Sequence, residues 1–270
     1  MTDTVHDRLR RVEGRHNSLV KELRRAFSRS ELTESGACAI EGVRILEEAI
    51  RSGLRFEAVF FSEAGRNRAD RLLPQIGAQV ETLLLPDKLF ASAVPTETPQ
   101  GVAALVRIKK TALPGLLANI AKGIIVGVAG IQDPGNLGTI FRSAEAFGAA
   151  GVLLGEKTVS PFNSKVVRAS AGSIFRIPSV SVKLADAIPL LKEHKVRLFA
   201  TSSHNGVQLG SVDFASPVAV FIGSEGAGLP REVLAAVDET IVIPHSTQVE
   251  SLNAGIAASI VLYEAARQRG

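Results

Sequence analysis

Three short stretches in the second half of the chain carry residue types that could do chemistry. They are Asp133-Pro134-Gly135-Asn136-Leu137-Gly138-Thr139-Ile140-Phe141-Arg142, then Phe221-Ile222-Gly223-Ser224-Glu225-Gly226-Ala227-Gly228-Leu229-Pro230, then Ile243-Pro244-His245 with Glu250-Ser251-Leu252-Asn253. Each sets glycine or proline beside a few polar side chains just after an apolar run, which is how loops at strand ends build a site. In the first, Asn136 falls at a helix entrance and Arg142 six residues on. The guanidinium fork suits a phosphate, or a ribose flanked by phosphates. A capping Asn and a surface Arg would give the same pattern. In the second, Gly223 lets a ligand approach the backbone, and Glu225 suits a hydroxyl. A glycine-rich turn with a solvated Glu would look alike. In the third, Ser251 reads as a helix cap and Asn253 as a polar residue of the first turn.

Other chemistries find no support. The five histidines (His6, His16, His194, His204, His245) are scattered, with no His-Glu-x-x-His or Cys-x-x-Cys, so no metal site is expected. Gly-x-x-x-x-Gly-Lys and Gly-x-Ser-x-Gly are missing. The turn after Gly130 lacks the three-glycine spacing of a dinucleotide site, which argues against a nicotinamide oxidoreductase. Cys38 is the single cysteine, so no internal disulfide can form, in keeping with a reducing cytoplasm. No apolar run reaches the roughly 18 residues of a membrane span. Met1 to Arg11 is polar and shows no secretory signal.

The 270 residues are 46% hydrophobic, enough for a packed core of one large or two modest domains. The net charge of +4 is uneven. Eight bases lie between Arg8 and Arg29 against Glu13 and Glu22, either a phosphate-binding face or an ordinary solvated one. One Tyr and no Trp supply base stacking poorly.

The elements that must position these residues can be traced. Val12 to Phe27 and Glu41 to Ile50 read as helices; Ala58 to Phe61, Val80 to Leu85 and Gly101 to Val106 read as strands. This is a small N-terminal α/β unit over 1–108, with a connector over 109–122. From Gly123 the pattern alternates: strands at 123–130, 151–154, 196–201, 218–222 and 239–243, helices at 139–147, 164–171 and 185–194. A long helix runs from Ser251 to Arg267, with Leu252, Ile256, Ile260 and Tyr263 on one face. Buried-type strands alternating with helices predict a mostly parallel sheet covered on both sides, over 123–270.

Taken together, the motifs resemble the SPOUT superfamily, and within it the SpoU (TrmH-type) RNA ribose methyltransferases. Asn136-Leu137-Gly138-Thr139-Ile140-Phe141-Arg142 resembles the family's Asn-x-Gly-x-x-x-Arg. Gly223-Ser224-Glu225-Gly226-Ala227-Gly228-Leu229 resembles its Gly-x-Glu-x-x-Gly-Leu. Ile243, Pro244, Ser251, Leu252 and Asn253 resemble Ile-Pro followed by Ser-Leu-Asn. Arg168-Ala169-Ser170-Ala171-Gly172, Pro99-Gln100-Gly101-Val102, Glu41-Gly42-Val43-Arg44 and Val20-Lys21-Glu22-Leu23 fit as well. His245 stands where the family often has Met, and Ala254-Gly255 where it often has Val-Ser.

The resemblance implies a C-terminal α/β domain with a trefoil knot, and an N-terminal RNA-binding domain. It implies S-adenosyl-methionine held by backbone groups near Thr201, Gly223, Ile243 and Leu252. It implies a homodimer with the active site near the subunit interface, acting in the cytoplasm without metal or membrane. The reaction would be 2′-O-methylation of a ribose, in ribosomal RNA rather than transfer RNA by the two-domain layout. Arg142 would bind the target phosphate and stabilise the developing alkoxide, or activate the hydroxyl. Asn136, Glu225, Ser251 and Asn253 would orient Arg142, the ribose or the cofactor. A transfer RNA ribose methyltransferase, or a non-catalytic RNA-binding protein on the same fold, is the alternative.

Overall fold

The computed structural model describes residues 7–118, 120, 123–246 and 248–270. His6, most of the polar N-terminal stretch, and Asn119, Ala121 and Lys122 of the expected connector lie outside the described residues. The chain forms two compact units. One holds the residues up to Lys109 together with Ser160–Phe175; the other holds Lys110–Val159 and Arg176–Gly270.

The first unit contains β1 (Arg10–Arg11), α1 (Ser18–Arg29), β2 (Ala37–Glu41), α2 (Val43–Arg51), β3 (Arg55–Ser62), α3 (Ala69–Leu72), β4 (Glu81–Leu85), α4 (Asp87–Ala91) and β5 (Val102–Arg107). Its sheet runs β1-β4-β3-β5-β2, with β5 antiparallel to both β2 and β3. Strand alternation feeds two cores. Ala58, Phe60, Leu83 and Leu105 face Val20, Leu23 and Phe27 of α1, whereas Val59, Phe61, Leu84 and Val106 face Leu46 and Ala49 of α2. Each buried Leu or Phe contributes roughly 1.5–3 kcal/mol.

Two sequence expectations shift here. The basic helix starts at Ser18, not Val12, because the Asn17 side chain caps it by accepting from Leu19 and Val20 N–H. Glu41 closes the fully buried β2, a strand not read from the sequence, and α2 begins only after Gly42 at φ +98°. Only glycine enters that turn without strain. The basic run is also largely committed to structure. Arg8 binds the Leu73, Ile76 and Gly77 carbonyls, Arg10 and Arg11 pair with Glu81 and Glu63, Arg24 binds Ser92, and Arg25 lies 3.7 Å from Glu34. That leaves Arg15, Lys21 and Arg29 unpaired among the described residues.

The second unit contains α5 (Leu113–Leu117), β6 (Ile125–Val128), α6 (Pro134–Ala146) and β7 (Gly151–Leu154). Next comes α7 (Ser164–Ala169), which lies inside the expected C-terminal domain but packs in the first unit, its Val167 entering the α2-side core. The second unit resumes with β8 (Ser179–Ser181), α8 (Leu184–Glu193), β9 (Arg197–Ser202), β10 (Val207–Gln208), β11 (Val218–Ile222), α9 (Arg231–Ala236), β12 (Glu239–Val242) and α10 (Ala254–Arg269). Its seven strands are ordered β10-β12-β9-β11-β6-β7-β8 and every neighbouring pair is parallel. One face packs Leu198, Ala219 and Phe221 against Leu184, Ile188 and Leu191 of α8. Helices α6 and α10 pack on each other, α6 against β7 and α10 against β11. Their contact includes a 2.6 Å hydrogen bond between the Ser143 and Ser259 hydroxyls and an edge-on meeting of the Phe147 and Tyr263 rings.

Candidate active site

Parallel strands deliver their carboxyl ends to one edge of a sheet, and ligands of open α/β sheets bind where the strand order reverses there. In this unit β9, β11 and β6 are adjacent, although β7 and β8 intervene in sequence. The loops leaving β9, β11 and β12 close a cavity lined by Thr201, Gly223, Ile243 and Leu252, together with His245 and Ser251. All four residues expected at the cofactor thus share one cavity. The loop after β11 is folded back by an antiparallel pairing of Ser224 with Gly228, a 2.9 Å bond from Gly228 N–H to Ser224 O, and φ +65° at Gly228. A Cβ on Gly223 would come within 2.2 Å of the Gly228 carbonyl carbon, so only glycine fits. His245 turns back on its own loop, with Nδ1 2.7 Å from Ile243 O.

The polar motifs converge beside this cavity. Asp133, not Asn136, caps α6 by accepting from Gly135 N–H. Asn136 is therefore free to donate to Glu225 Oε1 at 3.3 Å. Asn253 donates to Glu225 Oε1 at 3.0 Å and to Asn136 Oδ1 at 2.9 Å. Ala254 N–H adds a third bond to Glu225 Oε1 at 3.0 Å. Asn253 also caps α10, its Oδ1 accepting from Gly255 and Ile256 N–H. The sequence expects Ser251 in that role; α10 starts three residues later, and Ser251 instead lines the cavity.

Arg142 stands apart from the cluster. Six residues beyond Asn136 on α6, it is rotated by about 240° around the helix. It is exposed and makes no ion pair with any described residue. Thr139, one turn earlier on the same stripe, lies against Gly255 of α10, whose Ile256 and Tyr263 are 52% and 54% exposed. These are two of the residues that the sequence places on one face of the last helix. Here that face points outward, while Ala258, Val261 and Leu262 form the buried one.

A second cavity, of about 360 Å³, shares Ser224, Glu225 and Ala254 with the first and adds Asp133, Asn136 and Lys157. The sequence motifs did not single out Lys157. Its loop is pinned by bonds from Gly130 N–H to Glu156 O and from Val159 N–H to Ile131 O. Among the described residues no three His, Cys, Asp or Glu side chains come together as a metal site. Cys38 is buried, and burial pushes its thiol up to about 12, so it is no nucleophile at neutral pH.

Comparison with known proteins decides the family. Residues 123–263 match the SpoU rRNA methylase family, and residues 17–104 match the MRM3-like substrate-binding domain. The chain belongs to the SpoU rRNA methylase family. Across 94% of the chain and 98% of the relative it is 31% identical to the Bacillus subtilis 23S rRNA (guanosine(2553)-2′-O)-methyltransferase RlmP. The AdoMet-bound rRNA methyltransferase from Sinorhizobium meliloti superposes with a TM-score of 0.81 at 28% identity, over 96% of this chain and 98% of that one. The SpoU methyltransferase AviRb from Streptomyces viridochromogenes gives 0.78 at 27%, over 94% and 98%. The SpoU match spans all three motifs, and the TM-scores give the chain the fold of these neighbours.

Proposed function

We propose that this chain methylates a ribose 2′-hydroxyl of ribosomal RNA with S-adenosyl-methionine. The observation that carries the reading is the convergence of Asn136, Glu225 and Asn253 on a wall shared by two cavities at the carboxyl edge of the parallel sheet. The relatives' activities agree with it.

The first cavity suits the cofactor. It is lined by Thr201, Gly223, Ile243 and Leu252, has an apolar wall at Leu229, and borders a loop folded so tightly that Gly223 admits no Cβ. These four residues would hold it, and when bound it supplies an electrophilic methyl group. The protein must then place the hydroxyl and manage its proton. An ordinary guanidinium, with a pKa above about 12, is a poor base at neutral pH. Arg142 instead takes the phosphate beside the target and stabilises the alkoxide as it forms. Glu225 Oε1 is filled by its three donors, which leaves Oε2 as the acceptor for the ribose hydroxyl. Asn136 and Asn253 fix that carboxylate, and Ser251 orients the ribose or the cofactor.

The wider reading follows the same lines. Residues 1–108 recruit RNA and 123–270 carry the reaction. The strand order, which sets β11 between β6 and β9, suits the trefoil knot. The outward Ile256 and Tyr263, on the helix that packs against the one bearing Arg142, suit a homodimer that buries them and completes the site. No described helix is long and apolar enough to cross a membrane, and a ribosomal RNA substrate suits work in the cytoplasm.

The test is transfer of radiolabel from S-adenosyl-methionine to unmodified ribosomal RNA and, separately, transfer RNA, with mapping of alkali-resistant ribose. Label in ribosomal RNA supports the reading. Label in transfer RNA alone replaces the substrate. No label and no cofactor binding would leave a non-catalytic RNA-binding protein.

A further inference from the structure

Four described residues other than glycine have positive φ: Ser30, Lys157, Ala171 and Lys195. Three of them follow helices. Ser30 ends α1, Ala171 follows the last residue after α7, and Lys195 follows α8, where left-handed backbone is the ordinary way to close a helix. Lys157, at φ +56°, sits instead in the turn that follows the strand β7, and it lines the second cavity. A strained non-glycine residue held by its surroundings at a cavity wall points to function.

The cavity's charge says which function. Two carboxylates line it, Asp133 and Glu225, and Lys157 is its one cation among the described lining residues. Asp133 Oδ1 is taken by Gly135 N–H and Glu225 Oε1 by three donors, while Lys157 bonds to none of the described residues. A polyanion entering there meets two like charges unless a cation compensates them. At about 360 Å³ the space falls within the roughly 300–1,000 Å³ of small-ligand sites.

We infer that Lys157 is a substrate-binding residue: its ammonium takes an RNA phosphate next to the ribose seated in the second cavity. The inference rests on the function proposed above and extends it, for it makes the second cavity the nucleotide chamber and gives it a phosphate contact separate from Arg142. Lys157 lines the cavity wall, and because Lys157→Arg keeps the charge that Lys157→Gly removes, the charge itself can be tested.

Lys157→Gly relieves the strain and removes the ammonium, so the fold is kept. Lys195→Gly does the same at φ +57°, ahead of β9 at the amino edge of the sheet, and serves as the control. The full chain is titrated with unmodified 23S ribosomal RNA transcribed in vitro, between about 50 and 200 mM salt. Lys157→Gly is expected to weaken RNA binding about five- to tenfold and to flatten the log–log salt slope by about 0.7–0.9, the loss of one phosphate contact. S-adenosyl-methionine affinity and the melting midpoint should hold, Lys157→Arg should keep the slope, and Lys195→Gly should change neither slope nor affinity. An unchanged slope in Lys157→Gly, or an equal loss in Lys195→Gly, overturns the inference while leaving the methyltransferase reading intact. A wild-type protein that neither binds nor methylates RNA overturns both.

Discussion

Asn253 and Asn136, 117 positions apart in the chain, are joined side chain to side chain, with Asn253 Nδ2 donating to Asn136 Oδ1 at 2.9 Å. The same amide nitrogen spends its other hydrogen on Glu225 Oε1, and Asn253 Oδ1 caps α10. One residue thus fixes the start of the last helix and the Glu225 carboxylate together.

Asn253→Asp separates those two duties. Aspartate caps a helix as well as asparagine does. It cannot donate, and it sets a second negative charge against Glu225. Two lost hydrogen bonds at about 1 kcal/mol each imply a stability loss of roughly 1–2 kcal/mol. Turnover should fall at least about tenfold, equivalent to ~1.4 kcal/mol of barrier. Urea midpoints and initial rates measure both; an Asp variant with wild-type turnover would remove the cluster from the mechanism.

Arg142 offers the opposite profile. Its side chain is exposed and unpaired among the described residues, so Arg142→Ala should leave stability within about 0.5 kcal/mol. Loss of an electrostatic stabiliser costs about 10²–10³ in turnover. Arg142→Lys should recover only part, since an ammonium lacks the planar fork. Near-normal turnover in a folded Ala variant would sink the catalytic assignment.

His245 occupies an acceptor the cofactor could use, because its ring nitrogen lies 2.7 Å from Ile243 O. His245→Met removes the competing donor. One released hydrogen bond of about 1 kcal/mol corresponds to roughly fivefold tighter S-adenosyl-methionine binding. Calorimetric titration of both proteins reads this directly, and an unchanged dissociation constant would show that the Ile243 carbonyl is not a cofactor contact.

What could be read in advance follows from what local sequence encodes. The buried strands at 218–222 and 151–154 announced themselves because a strand covered on both faces must be apolar throughout. The loop residues Gly223, Glu225 and Asn253 were legible because their motifs are local. Capping was harder. Asp133, Asn136, Ser251 and Asn253 are all good cap residues, and only the three-dimensional competition shows that Asp133 and Asn253 win. Ala37–Glu41 escaped because Glu41 reads as polar; in the fold its carboxyl is buried beside Thr96, and burial pushes its pKa up. Lys157 left no trace, since neither its φ nor its cavity has a sequence signature.

Glu264 links pH to the end of α10. Arg267 donates two hydrogen bonds to its carboxylate and Gln268 one, holding its pKa down at about 2. Gln268 in turn binds Val212 O and Phe214 N–H, and Arg269 binds Phe214 O and Ser216 O, so this last turn clamps the loop that leads into β11. A carboxyl depressed in the folded state stabilises fully above its unfolded value of about 4.3 and loses that contribution as pH falls through the folded value. Glu264→Gln keeps an acceptor for Gln268 but drops the charge, so it should cost no more than about 1 kcal/mol at neutral pH, the scale of a surface ion pair. The gap between wild type and variant should be full at pH 6.5, clearly narrower at pH 3 and nearly closed at pH 2. Urea midpoints at those three values measure it. A gap that stays constant down to pH 3 would mean that the charge on Glu264 contributes nothing and that the clamp rests on its neutral hydrogen bonds alone.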